Sequence, residues 1–209
     1  MLYPRIARVG EKDILVADDQ MVGYKEHMTQ EYLILYLDGI ITGDPSPRHL
    51  LGALDTPLVN PKHSPIKLFI TSPGGDLDTT FLFYDVIKTI KSPVITIGEY
   101  CASAAAILLA AGNKRYLRPH AKVMLHLPSN YFAKDTAIQI QDMEIIQNQT
   151  KKYKERMVEI LIDCGAKKSR EEILIDIDRD YWMEPEEAIE YGLADEILTP
   201  NIWEEWINV

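Results

Sequence analysis

Cysteine is scarce. The 209 residues hold two, Cys101 and Cys164. That is too few for a disulfide framework, and neither has metal-ligand spacing. No apolar run approaches the roughly 20 residues a membrane helix requires. The opening Met1-Leu2-Tyr3-Pro4-Arg5-Ile6 has no apolar stretch of the secretory kind. Positive charge is short: 22 Lys and Arg stand against 32 Asp and Glu, a net charge of −10. No basic block relieves it, which argues against a general nucleic-acid binder. No Gly-x-x-x-x-Gly-Lys-Ser/Thr loop occurs, so the chain cannot itself supply nucleotide chemistry. Internal repeats and low-complexity tracts are lacking as well. What remains is an ordinary cytoplasmic composition, 46% hydrophobic and 26% charged, in a chain long enough to bury a core.

The apolar pattern alternates between strand-like and helix-like stretches. Residues 31–37 and 66–71 read as strands, as do 94–97, 115–117 and 122–125. Helices are expected over 48–54, 77–91, from Ser103 onward, over 136–162, 171–177 and 186–191. Such alternation predicts an α/β domain with a largely parallel sheet. Residues 1–30 read as an arm, 31–200 as the domain and 201–209 as a tail.

Four pieces carry chemistry. Ser103 opens the small-residue run Ala104-Ala105-Ala106-Ile107-Leu108-Leu109-Ala110-Ala111-Gly112. Alanines keep bulk away from its hydroxyl, although a serine there also serves as an N-cap. The Gly-x-Ser-x-Gly elbow is missing. Ser72-Pro73-Gly74-Gly75 ends a strand with a helix beyond it. Such a turn can aim a backbone N–H into a cleft as an oxyanion donor, or simply change direction. His126, in Met124-Leu125-His126-Leu127-Pro128, sits at a strand end, where a base would be well placed. His120, between Pro119 and Ala121, reads as a surface turn. Asp180, in Asp178-Arg179-Asp180 ahead of Tyr181-Trp182, could reach a histidine or form a solvated pair with Arg179. A nucleophile, a base, an acid and an oxyanion turn make up a serine peptidase.

Together with Tyr84-Asp85 and Glu186-Glu187-Ala188-Ile189-Glu190-Tyr191-Gly192, these motifs resemble the proteolytic subunit of the Clp protease family. The resemblance runs from about residue 66 to 198. It implies a crotonase-like ββα superhelix with a long helical handle, and a double-ring homo-oligomer of two stacked seven-membered rings. It implies an ATP-driven AAA+ unfoldase as partner and unfolded polypeptides as substrate. It also implies no cofactor in the chain itself, ATP being used by the unfoldase. Ser103 would be the nucleophile, His126 the base and Asp180 its orienting acid, with the Gly75 and Ala104 N–H groups as the oxyanion hole.

The chain departs from the family pattern at four places. Gly98 lies one position too far from Ser103, which predicts a remodelled loop before the nucleophile. Ala104 replaces a methionine. Residues 129–134 lack the family's glycines, and residues 1–30 do not match its N-terminal segment. Other readings stay open: a catalytically silent ring subunit, a crotonase-type acyl-CoA enzyme, and a serine–lysine peptidase using Lys114 or Lys122.

Overall fold

The computed structural model describes the backbone of residues 5–9 and 12–16, Met28, and residues 32–129 and 139–207. Most of the expected N-terminal arm lies outside these residues. So do most of the glycine-free 129–134 segment and residues 136–138 of the expected long helix. Within the arm, β1 (Arg5–Val9) and β2 (Lys12–Val16) pair antiparallel, Arg5 opposite Val16.

Among the described residues the main sheet has six strands. β3 (Ile34–Asp38), β4 (Ile66–Ser72), β5 (Val94–Ala102) and β6 (Lys114–Leu125) lie side by side and parallel. β7 (Tyr181–Met183) adds antiparallel to β6, and β8 (Glu196–Ile197) pairs with β6 in parallel. Between the strands run α1 (Ser46–Leu54), α2 (Leu77–Thr89) and α3 (Ala104–Ala111). After β6 come α4 (Ile140–Asp163), α5 (Arg170–Asp176), α6 (Pro185–Tyr191) and α7 (Pro200–Ile207).

Parallel strands are covered on both faces, hence their near-continuous apolar character. One face packs Leu68 and Ile70 against Leu51, Phe83, Ile87 and Leu108 from the helices. α3 is buried all round, because its alanines let it settle closely between sheet and neighbouring helices. On the other face, Ile34, Phe69, Ile97 and Tyr116 meet Ile202, Trp203 and Trp206. Residues 201–207 are therefore not a tail. Pro200 starts a helix there, and its two tryptophans cover the sheet.

Two further expectations change. The segments 115–117 and 122–125 are one strand. It passes Pro119 because the ladder with β5 skips residues 118–121: Gly98 pairs with Leu117, and the next pair is Tyr100 with Lys122. A proline in such a bulge forfeits no ladder hydrogen bond. Nor does a loop precede Ser103. β5 runs on to Ala102 through a second irregularity, where Ile70 pairs with Gly98 and Thr71 with Tyr100. The extra residue is Glu99, which accepts from Thr71 Oγ1 at 2.7 Å and from Arg118 Nε at 3.1 Å. The misplaced glycine is thus absorbed by a bulge, and the strand reaches the serine paired on both sides.

Asp55, just after α1, ties that helix to the turn before β5. Its carboxylate accepts from Ser92 Oγ at 2.6 Å, Ser92 N at 2.7 Å and Lys91 N at 2.9 Å. His63 Nδ1 lies 3.1 Å away. Burial acts to raise its pKa, but these bonds prevail and hold it far below the usual carboxylate range. A group with a lowered folded pKa stabilises the protein above its unfolded value, and that contribution fades as pH falls. Asp55→Ala is expected to cost about 2–3 kcal/mol near neutrality, where charged hydrogen bonds are lost. At about pH 3, below the unfolded carboxylate value, the loss should be smaller. Denaturant unfolding at both pH values checks this, and equal losses would refute it.

Candidate active site

Ser103 follows the last residue of β5 and precedes α3. Its backbone has φ 58° and ψ −124°, a conformation that a side-chain-bearing residue rarely adopts. Such strain costs on the order of 1–3 kcal/mol and persists only where the surroundings enforce it. Here Ser103 N donates to Met124 O at 2.8 Å, and Ala106 N donates to Ser103 O at 3.0 Å. Although Ser103 occupies the N-cap position, its side chain makes no capping bond. Its Oγ lies instead 2.7 Å from His126 Nε2.

His126 follows the end of β6. The next residue is fixed by Leu127 N donating to Ile177 O at 2.8 Å, which holds this segment against the end of α5. His126 Nδ1 is 3.5 Å from Asp180 Oδ1, and Asp180 is 62% exposed. Asp180 immediately precedes β7, which pairs with β6 through Tyr181 and Leu125. One strand pair thus brings the imidazole and the carboxylate to the same edge. His120 lies exposed in the β6 bulge. Lys114 and Lys122 are engaged by Glu196 and Glu184, and neither lines the cleft at Ser103.

The Gly-Gly turn closes the other side. Ile41 N donates to Gly74 O at 2.8 Å, and Asp76 N donates to Ile41 O at 2.8 Å. In this parallel bridge Gly75 lies opposite Ile41, so its own N–H points to the far side. Gly74 has φ 93°, and a Cβ there would lie 2.7 Å from Ser103 Cβ. The turn therefore rests directly against the serine. Among the described residues, neither the Gly75 nor the Ala104 N–H donates to a backbone carbonyl. Ala104 opens α3, whose positive end adds to the field at the serine.

These groups share a cleft of about 840 Å³, lined also by Ile40, Leu77, Met124, Pro128, Tyr153 and Met157. The apolar walls were not legible as a site. In sequence Met157 belongs to a helix face suited to a subunit contact or to covering its own sheet. It is 3% exposed and turns toward the cleft, while Ile145 on the same helix is 65% exposed. The spacing of Tyr153 and Met157, four apart on one helix, is the signal that could have placed both on one face.

The family model of the Clp protease matches residues 44–201. The chain is 39% identical over 137 residues to the chloroplastic ATP-dependent Clp protease proteolytic subunit 4 of Arabidopsis thaliana, covering 64% of this chain and 45% of that one. It is 37% identical to ATP-dependent Clp protease proteolytic subunit 1 of Rhodopirellula baltica, covering 64% and 58%. With the subunit 1 of Chlamydia trachomatis it shares 38% identity over 144 residues, 68% and 73% of the two chains. The match thus spans about half the length of the first two relatives. Among the described residues, no helix is long and apolar enough to cross a membrane. With its mixed α/β sheet, its Gly-Gly turn against Ser103 and a family match over most of its length, the chain belongs to the Clp protease family.

Proposed function

We propose that the chain is a serine endopeptidase, the proteolytic subunit of a Clp-type compartmentalised protease that cuts unfolded polypeptides and short peptides in the cytoplasm. One observation carries this reading: the Ser103 hydroxyl, freed from capping, lies 2.7 Å from His126 Nε2 on a strained backbone. Strain kept at a strand–helix junction fits a nucleophile better than a cap. The acyl-CoA reading needs no such serine–histidine pair. The serine–lysine reading loses its base, since both candidate lysines face carboxylates elsewhere.

In this mechanism Ser103 Oγ attacks the peptide carbonyl carbon while its proton passes to His126 Nε2. The carbonyl oxygen takes the negative charge and receives the Gly75 and Ala104 N–H groups. Collapse of the tetrahedral species breaks the C–N bond, and the departing amine takes the proton from His126. Water, deprotonated by the same nitrogen, then attacks the acyl carbon, and the C–Oγ bond breaks as His126 returns the proton to Ser103. Asp180 faces Nδ1 and so favours the tautomer whose Nε2 is free to accept. No cofactor enters these steps.

The active subunit works within a homo-oligomeric chamber fed by a separate AAA+ unfoldase, which alone uses ATP. Support for self-association comes from α4, which exposes Ile140, Met143 and Ile145 at 75, 58 and 65%. Native mass measurement combined with a fluorophosphonate probe tests assembly and nucleophile together. Ser103 should be labelled in a multi-subunit species, short peptides should be cut without ATP, and a stable folded protein should resist the chain alone. Absence of labelling would indicate a silent subunit. Rapid digestion of the folded protein would show an open site.

A further inference from the structure

Tyr153 stands between two hollows. It lines the cleft at Ser103 together with Met157, one helical turn further along α4. It also lines a groove of about 470 Å³ whose other walls include Phe81, Lys152 and Arg156. Its phenol donates to Asp78 Oδ2 at 2.7 Å, and its ring tilts on Phe81 with centroids 6.0 Å apart. Asp78 lies in the first turn of α2, the helix that follows Gly75. The ring is thus held by a charge-assisted bond at its tip and an aromatic contact at its side, which a free surface tyrosine lacks. Burial first, and then Asp78, raise the phenol's pKa, so it keeps the donated proton at neutral pH.

We propose that Tyr153 is the end wall of the apolar pocket beside Ser103 and sets the longest substrate side chain accepted there, with Asp78 locking the wall in place. This rests on the serine peptidase reading. Leu77, Met124, Pro128 and Met157 give the pocket apolar sides, so its occupant is an apolar side chain next to the scissile carbonyl. Removing the ring would join the cleft to the Phe81 groove and lengthen the pocket by about one aromatic ring.

Two peptides differing only at the residue that supplies the scissile carbonyl, leucine in one and tryptophan in the other, read this directly. Tyr153→Ala is expected to raise the tryptophan-to-leucine ratio of kcat/KM by about 10-fold or more, the range that a change of pocket size commands. Tyr153→Phe keeps the ring but loses its bond to Asp78, and should move the ratio only part of the way. Asp78→Ala unlocks the wall and should move it part of the way. Should Tyr153→Ala fold poorly, Tyr153→Leu shortens the wall with less loss of packing and should shift the ratio the same way. A ratio unchanged in the shortened variants, or one that moves as far in Tyr153→Phe as in Tyr153→Ala, overturns the assignment. Failure of the peptidase reading is distinct: Ser103 of the parent protein would then take no fluorophosphonate at all, and both conclusions would fall.

Discussion

Ser103→Ala is expected to lower hydrolysis of a short fluorogenic peptide by at least ~10^4-fold, because the nucleophile and the group that its base serves vanish together. The protein should remain folded. The Ser103 hydroxyl caps nothing, and its hydrogen bond to His126 is part-buried rather than part of the core. His126→Ala should fall by a similar factor, and the double variant should be little worse than either, since the two residues act as a unit. His120→Ala is the control. That histidine lies in the exposed bulge of β6, outside the cleft. Thermal unfolding run beside the kinetics separates lost chemistry from lost fold. Full activity in Ser103→Ala would remove the proposed mechanism.

The parts of this fold that could be read from sequence were those with a strong local signal. β4 carries the apolar run Leu68-Phe69-Ile70 and is closed by Pro73 and Gly74, and α6 ends on Gly192 in the left-handed conformation, φ 94°. The parts that could not be read depend on partners distant in the chain. Nothing near Glu99 announces that β5 continues past Gly98. The continuation is fixed by Thr71 on one side and Lys122 on the other. α7 looks like a tail because, beyond each other, its tryptophans find their partners far away in the chain. Phe69 and Tyr116, far upstream in the sequence, supply the surface they cover.

The site divides the same way. Ser103, His126 and Asp180 stand out because each sits at the end of a recognisable element, and chemistry restricts which residue types can serve. The cap reading of Ser103 was undecidable from sequence, since a cap and a nucleophile occupy the same position. In the structure the side chain makes no capping bond and Oγ turns to His126, which supports the proposed nucleophile. The apolar walls carry no such mark: a leucine or methionine on a helix looks alike whether it faces a core or a cleft.

Gly75→Ala is the second large effect, and it tests the oxyanion turn without touching a side chain. Gly75 has φ 149°, which side-chain-bearing residues rarely adopt. A Cβ built there would sit 2.0 Å from Ile41 O and 2.8 Å from Ile41 C. Both are backbone atoms, so no rotamer change relieves the clash and the turn itself must move. The two bonds that hold it to Ile41 would then lengthen, and the N–H would lose its aim. Removal of one oxyanion donor costs about 10^2–10^3 in kcat. A loss of that size is expected, with about 2–4 kcal/mol of stability lost to strain and displaced packing. Gly39→Ala is the matched control: φ is 82°, but no atom lies within 4 Å of the added carbon. It should show backbone strain alone, of about 1 kcal/mol, and retain activity, because Gly39 lies outside the cleft. If Gly75→Ala keeps the parental kcat while Gly39→Ala behaves as expected, the N–H of Gly75 is not an oxyanion donor. The charge on the carbonyl oxygen would then rest on Ala104 and the positive end of α3.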